Sequence, residues 1–463
     1  MKKSAFPSPA EGIPSDTRTI LKTAAPIMIG LLLEQLIGMT DAIFLGRYGE
    51  VELGAAALGS VVFFLYISVA FGYGVGAQAL MARANGARRT AEVGRIFRQS
   101  AGFLFALGGL LALASLPFAH RVMDAMVQSG DVARAAGDYV FWRLFGLPAA
   151  FLCVGMRAFY TGILRTRVLT WSSVVMVAAN CTLNGLLIFG AGPIPALGIS
   201  GAAIASAASE IAALLYLVLA AVRSGAAERY SLFRGLEWDG TLQRELFRLG
   251  AWLMVQEMIA FGTWLFFFAA VEHVSDRALA ISNVVRQLGS LIFLFVHAFG
   301  TTCGSISSNL YGAKDFGSIN GVVMRGLGLS YAAMIPIAAV FACIPETVLG
   351  WFTDIDAVIL EARPAYYVML ASYLLTVAPF FLYFVIGALG FARPSFWITT
   401  ASSAVYALYV AWITSATTSV ALIWTSDTVF GAGLGIGAWL VWRRAAWQTS
   451  IPAEKRLYPQ GEA

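Results

Sequence analysis

Apolar stretches of close to twenty residues recur along the chain, separated by short segments that hold nearly all of its charge. A helix crossing a bilayer core of about 30 Å needs about 20 such residues. The pattern therefore predicts helices at 21–45, 55–80, 98–119, 138–162, 168–190, 199–222, 247–271, 279–303, 321–344, 364–390, 395–417 and 420–442. Within each stretch the apolar residues run continuously instead of alternating with a period of two, which argues against a membrane β-barrel. The links at 191–198 (AGPIPALG) and 418–419 are short, and such tight connections force antiparallel neighbours. The expected fold is an all-α polytopic membrane protein with twelve transmembrane helices and no large soluble domain.

Composition agrees with this reading. Of 463 residues, 59% are hydrophobic and 12% charged, far from the roughly 25% charged residues of a soluble domain. Disorder is excluded too, because disordered chains are poor in apolar residues. The first twenty residues hold Lys2, Lys3 and Arg18 without an apolar core, so no signal peptide is expected. The net charge of +5 becomes informative once it is placed on the two sides of the membrane. With the N-terminus cytoplasmic, and with Lys22, Arg98, Arg248 and Arg325 at the helix ends counted with the adjoining segments, the tails and even-numbered loops hold 23 of the 31 Lys and Arg, the opposite loops 5, and the helices 3. That is the positive-inside asymmetry. It places both termini in the cytoplasm and the chain in the cell (inner) membrane. The four cysteines (153, 181, 303, 343) fall in apolar runs without disulfide or metal-ligand spacing, and are expected to be small core residues.

The chain also repeats itself. A shift of 226 residues aligns 72–89 (GYGVGAQALMARANGARR) with 298–315 (AFGTTCGSISSNLYGAKD), matching Gly74 with Gly300, Gly86 with Gly312 and Arg88 with Lys314. The same shift pairs Leu53 with Leu279 and Trp171 with Trp397. Six helices separate the copies, so the halves share one topology as parallel repeats about an axis along the membrane normal. The expected division is a tail at 1–20, an N-terminal lobe at 21–222, a basic cytoplasmic linker at 223–246, a C-terminal lobe at 247–442 and a second tail at 443–463. Two similar six-helix lobes around a central cleft suit alternating access better than a fixed pore.

Ionisable groups inside a bilayer are costly, and they are functional suspects by default. Leaving out the terminal residues, five acids lie within predicted helices: Glu34 and Asp41 in the first, Glu210 in the sixth, Glu257 in the seventh and Asp427 in the twelfth. Glu34 and Asp41 are two helical turns apart and share a face with Gly38. Asn180 and Asn184 in the fifth helix, and Ser206 and Glu210 in the sixth, each have i,i+4 spacing. Such amides, hydroxyls and carboxylates are the hard oxygen ligands that sodium needs, or partners for a protonatable acid. The same pairs also suit plain interhelical hydrogen bonding. Arg286 in the eighth helix requires an anionic or carbonyl partner, and His297 stands alone in the same helix. No HExxH, Walker or GxSxG motif is present, so an enzyme is not expected. Nor is a cofactor beyond a coupling ion, H+ or Na+.

Several of these segments resemble those of the multidrug and toxic compound extrusion (MATE) transporters of the multidrug/oligosaccharidyl-lipid/polysaccharide flippase superfamily. They are PIMIGLLLEQLIGMTDAIFLGRYGEVELGAAALG through the first helix, ANCTLNGLLIFG at 179–190 and LGISGAAIAS at 197–206. The resemblance covers nearly the whole chain and implies a multidrug efflux antiporter driven by inward flow of sodium or protons. It implies that Asp41 is the central coupling residue, with Asn180, Asn184 and Ser206 as its partners, and a Na+ site at Asp41, Asn180 and Asn184. It further matches Glu257 to a seventh-helix glutamate of the NorM-like branch and Tyr139 to a fourth-helix tyrosine of some members. Two departures stand out. Several members carry an aspartate where this chain has Asn184, and a tenth-helix aspartate of the NorM-like branch aligns near Pro379. Glu34, Glu210, Arg286 and Asp427 acquire no role from the resemblance. Ser209-Glu210 and Ser426-Asp427 become repeat-equivalent if the second half has lost about nine residues.

The expected cargo is a small organic compound, cationic and amphipathic, handled by a monomer in the lipid bilayer without nucleic acid. The alternative is a flippase for a lipid-linked precursor or other amphiphile of the same superfamily. A flippase for anionic carriers would line its cleft with arginine, whereas the helices here hold Arg143, Arg157 and Arg286 against five acids. A major-facilitator transporter would carry an aspartate in the loop where this chain reads ARANGARR (82–89). An intramembrane enzyme would need a His/Asp or Ser/Lys constellation, and a channel would conduct without a counter-gradient.

Overall fold

The computed structural model describes residues 13, 15–127, 129–190, 192–193, 195–235, 238–352 and 355–445. The tails expected at 1–20 and 443–463 lie largely outside these residues. Among the described residues, twelve helices are long and apolar enough to cross a membrane. They are α1 (Thr17–Tyr48), α2 (Glu50–Gly86), α3 (Thr90–Met126), α4 (Gly130–Gly162), α5 (Arg167–Phe189) and α6 (Gly198–Arg223), then α7 (Gly240–Glu272), α8 (Asp276–Gly312), α9 (Gly317–Cys343), α10 (Asp356–Ala388), α11 (Ala392–Ala416) and α12 (Val420–Arg444). Each coincides with one expected span, and the protein is a multi-pass membrane protein. Several helices outrun their apolar stretch. α2 and α8 reach 37 residues each, or about 55 Å at 1.5 Å per residue. Hydropathy registers only the part that meets hydrocarbon, whereas backbone hydrogen bonding carries the helix on into the polar layer.

Large apolar side chains such as Leu113, Leu215, Leu408 and Trp412 stand exposed on the helix surfaces. In a soluble protein such a surface would aggregate; facing lipid tails, it has no reason to hide. The interior uses small residues in its place. Ala202, Ala203 and Ala205 of α6 and Ala77, Ala79 and Ala82 of α2 are buried, which lets helix backbones approach closely. The cysteines divide differently from expectation. Cys303 is buried, Cys153 and Cys181 are partly covered, and Cys343 is exposed at the end of α9. An apolar run places a residue in the membrane, but the face it occupies decides whether it meets protein or lipid. All four are free thiols.

Two compact units are present. Among the described residues, the first spans Thr23–Met254 and the second takes Val255 onward together with the residues up to Lys22. The boundary thus falls inside α7, and the segment between α6 and α7 packs with the first unit. There Tyr230 donates to Asn85 Oδ1 at 2.9 Å, and Arg95 pairs with Asp239 at 3.4 Å. In the first unit α2 packs on α4, α4 on α6 and α5 on α6; in the second, α8 packs on α10, α10 on α12 and α11 on α12. These are the same three pairings six helices apart.

The repeat is visible in the backbone itself. Arg88 and Lys314, matched by the 226-residue shift, both adopt a left-handed conformation with φ of 62°. Each ends its helix with the same bond, Arg89 N to Ala84 O and Asp315 N to Leu310 O, the 6→1 closure of a Schellman cap. Leu164 (φ 59°) and Gly390 (φ 80°) form the second matched pair, closed by Arg165 N to Tyr160 O and Phe391 N to Ile386 O.

Candidate functional site

Asp41 of α1 lies in a closed ring of hydrogen bonds in the first unit. Asn184 Nδ2 donates to Asp41 Oδ1 at 2.6 Å and to Asn180 Oδ1 at 3.1 Å. Asn180 Nδ2 donates to Ser206 Oγ at 3.2 Å, and Ser206 Oγ donates to Asp41 Oδ2 at 3.1 Å. Thr40 Oγ1 also reaches Asn180 Oδ1 at 3.2 Å. Three helices are required to build this ring. The i,i+4 spacing sets Asn180 and Asn184 on one face of α5, and Ser206 comes from the small-residue opening of α6. Their approach depends on Gly201, where a Cβ would stand 2.5 Å from the Leu187 carbonyl oxygen of α5. The two asparagines and Ser206 are buried. Four of the expected site residues are thus brought together.

The ring gathers carboxylate, amide and hydroxyl oxygens around one formal negative charge. Asn184 Oδ1 is buried without a partner, an acceptor left open beside the carboxylate. Hard cations favour such oxygen ligands. Among the described residues no cluster of three His, Cys, Asp or Glu could hold a metal ion.

Tyr139 of α4 is buried, with its hydroxyl 3.2 Å from Ser60 Oγ of α2, and it interacts electrostatically with Asp41. Glu34 and Glu210 are not part of the ring. Glu34 pairs with Arg157 and accepts from Ser173 Oγ at 3.1 Å. Arg143 Nη2 donates to Glu210 Oε1 at 2.9 Å, with the Arg143 guanidinium 3.7 Å above the Phe63 ring.

In the second unit Arg286 finds the acid that its burial demanded, Asp427, at 3.2 Å. Its guanidinium lies 4.5 Å from the Trp424 ring centre and 4.9 Å from that of Phe267. Glu257 of α7 stands apart from this pair, beside Gln256 and within electrostatic reach of Tyr383. Tyr383 in turn shares a 2.8 Å hydrogen bond with Thr399. Arg143, Arg157, Thr40, Ser60 and Ser173 were not among the expected site residues. The signal for the arginines was present, since an arginine inside a bilayer must be partnered. The hydroxyls gave no such signal, because a lone Ser or Thr can bond its own helix backbone.

The profile of the MatE family matches residues 26–186 and again 253–413, once in each half of the chain. A probable multidrug resistance protein NorM from Burkholderia mallei is 27% identical over 367 residues, covering 78% of this chain and 76% of its own. A probable multidrug resistance protein YoeA from Bacillus subtilis is 25% identical over 368 residues, covering 78% and 79%. Among solved structures, an outward-facing multidrug resistance MATE family transporter of the MOP superfamily matches with a TM-score of 0.83 at 19% identity, over 93% of this chain and 96% of that one. The twelve helices, the duplicated halves and the two tandem profile matches lead to one conclusion: the chain belongs to the MatE family of membrane transporters, and is not an enzyme.

Proposed function

We propose that the protein is a secondary active efflux antiporter that exports small organic compounds, amphipathic cations foremost, in exchange for inward-moving H+ or Na+. The multidrug resistance in the relatives' names is the activity assigned here to this chain. The observation that carries the coupling mechanism is the ring around Asp41, a single carboxylate joined to two amides and a hydroxyl with the Asn184 oxygen left open. In this reading Asp41 alternates between a cation-loaded or protonated form and a free form, and Asn180, Asn184 and Ser206 hold it in place through both. Loading biases one conformation over the other by no more than the ion's differential affinity for the two. Glu257 is the secondary candidate, in the second unit. The termini are assigned to the cytoplasm from the loop charges, and the chain to the inner membrane as a monomer.

The interior arginines bear on the flippase alternative. Arg143, Arg157 and Arg286 each face a carboxylate, so the positive charge that the phosphates of a lipid carrier would need is already matched by this protein's own acids. That favours cationic cargo. The test is export of ethidium from proteoliposomes under Na+ and pH gradients imposed separately. One of the two gradients is expected to drive export in the native protein and to fail in Asp41→Asn. Unchanged gradient-driven export in that variant would falsify the assignment.

A further inference from the structure

Arg143 differs from the other interior arginines in how little of its hydrogen-bonding capacity is used. Its Nη2 is bonded to Glu210 Oε1, while its Nε and Nη1 are buried without partners, as is Glu210 Oε2. Arg157, by contrast, engages both Glu34 and Ser173, and Arg286 has one such donor, its Nε, where Arg143 has two. An arginine–carboxylate pair gains most when both forks meet, so a half-made pair in a buried position leaves donors that another acid can take.

That second acid is close. Arg143 interacts electrostatically with Asp41 as well as Glu210. The connection runs through two helices at once. On α6, Glu210 lies one turn beyond Ser206, whose hydroxyl binds Asp41; on α4, Arg143 lies one turn beyond Tyr139. The backbones of α4 and α6 already pack closely here. At Gly146 of α4 a Cβ would stand 2.7 Å from the Ala207 Cβ of α6 and 3.3 Å from Glu210 Oε2. The long arginine side chain, which lies over the face of Phe63, is the part of the pair with freedom to adjust.

We infer that Arg143 is a built-in counter-cation for Asp41. It rests on Glu210 while Asp41 holds the coupling ion and shares its unused N–H groups with Asp41 once that ion has left. This rests on the reading of Asp41 as the coupling site. Arg143 is a positioning residue, since it acts through the charge of Asp41. The arrangement keeps the site from being left as an uncompensated buried charge in either state, which would be strongly unfavourable. It also sets the ion affinity: Arg143 competes with the incoming cation, and Glu210 moderates that competition by holding Arg143 away. The groups facing this trio are Tyr139, Cys153 and Arg157 of α4, Phe63 and Ser60 of α2, and the ring partners Asn180, Asn184 and Ser206.

The test measures the concentration of the driving cation, Na+ or H+, that half-saturates ethidium export in proteoliposomes. Arg143→Gln removes the competitor and is expected to lower that concentration by about tenfold or more, the scale of a nearby opposite charge. Glu210→Gln releases Arg143 toward Asp41 and is expected to raise it by a similar factor. The double variant R143Q/E210Q loses both competitor and restraint, and shares the lowered value of R143Q. R143K, which keeps the charge, is expected to stay near the native value. If R143Q does not fold, E210Q and the double variant carry the test, because their shifts must be opposite in sign. Shifts of the same sign, or none, while D41N still abolishes coupling, overturn the role of Arg143 alone. Unimpaired coupling in D41N overturns the Asp41 reading itself.

Discussion

Under the 226-residue shift that relates the two halves, Asp41 corresponds to Phe267, Asn180 to Tyr406 and Asn184 to Val410. The positions that form a polar ring in the first unit are aromatic or aliphatic in the second. There Phe267 packs edge-on to Trp424 at 5.5 Å, and both lie against the Arg286 guanidinium. Each unit nevertheless keeps an acid just after a serine in its last helix region, Glu210 after Ser209 and Asp427 after Ser426, and each acid meets an arginine. The arginines come from different places, α4 in the first unit and α8 in the second. Duplication has therefore preserved helix pairings and helix caps while the interior chemistry diverged. A cap or a close helix contact is constrained by backbone geometry; an interior side chain is constrained only by volume and by having its charge met. The first unit holds an acid among amides and a hydroxyl with one buried acceptor left open, whereas the second holds an ion pair walled by rings.

This contrast can be broken most sharply in the second unit. Arg286→Met strands Asp427 among aromatic rings and is expected to destabilise the protein by about 3–5 kcal/mol, seen as a lower unfolding temperature in detergent. Pairing it with Asp427→Asn should recover most of the loss with export retained. Loss of coupled export in that folded double variant would make the second unit more than a scaffold. Next in size, Asp41→Asn is expected to reduce gradient-driven export about 100-fold, or about 2.8 kcal/mol at 1.4 kcal/mol per decade, with little change in thermal stability. Gly201→Ala forces a Cβ against the Leu187 carbonyl, an overpacking cost of about 1–3 kcal/mol. It should weaken coupling-ion affinity by parting α6 from α5, read as the half-saturating ion concentration. The smallest effect is expected for Glu257→Gln, under about threefold in export rate, because α10 brings Pro379 where the NorM-like branch brings an acid. A loss as deep as that of Asp41→Asn would move coupling to both units.

Much of the architecture is legible in the order of residues along the chain. Twelve apolar stretches, the loop charges and the repeat depend on length, composition and spacing, which are local properties of a chain in a bilayer. Arg286 announces its need for an acid in the same way. Helix ends are less legible, since α2 and α8 continue past the hydrocarbon that hydropathy detects. The ring around Asp41 is legible in part. The spacing of Asn180 and Asn184 places them on one face, and the family resemblance brings Asp41 and Ser206 to them.

The sequence by itself determined which residues would be expensive to bury, and on which helices: five acids and three arginines among the apolar spans. Tertiary structure decided which of them meet. Glu34 went to Arg157, Glu210 to Arg143 and Asp427 to Arg286, leaving Asp41 with amides and a hydroxyl in place of an arginine fork. The reason is physical. The cost of a buried charge is set by the residue and its span, but its compensation depends on distances of a few ångströms between helices far apart in sequence. Those distances are set by where a Gly201 or a Gly146 lets two backbones approach.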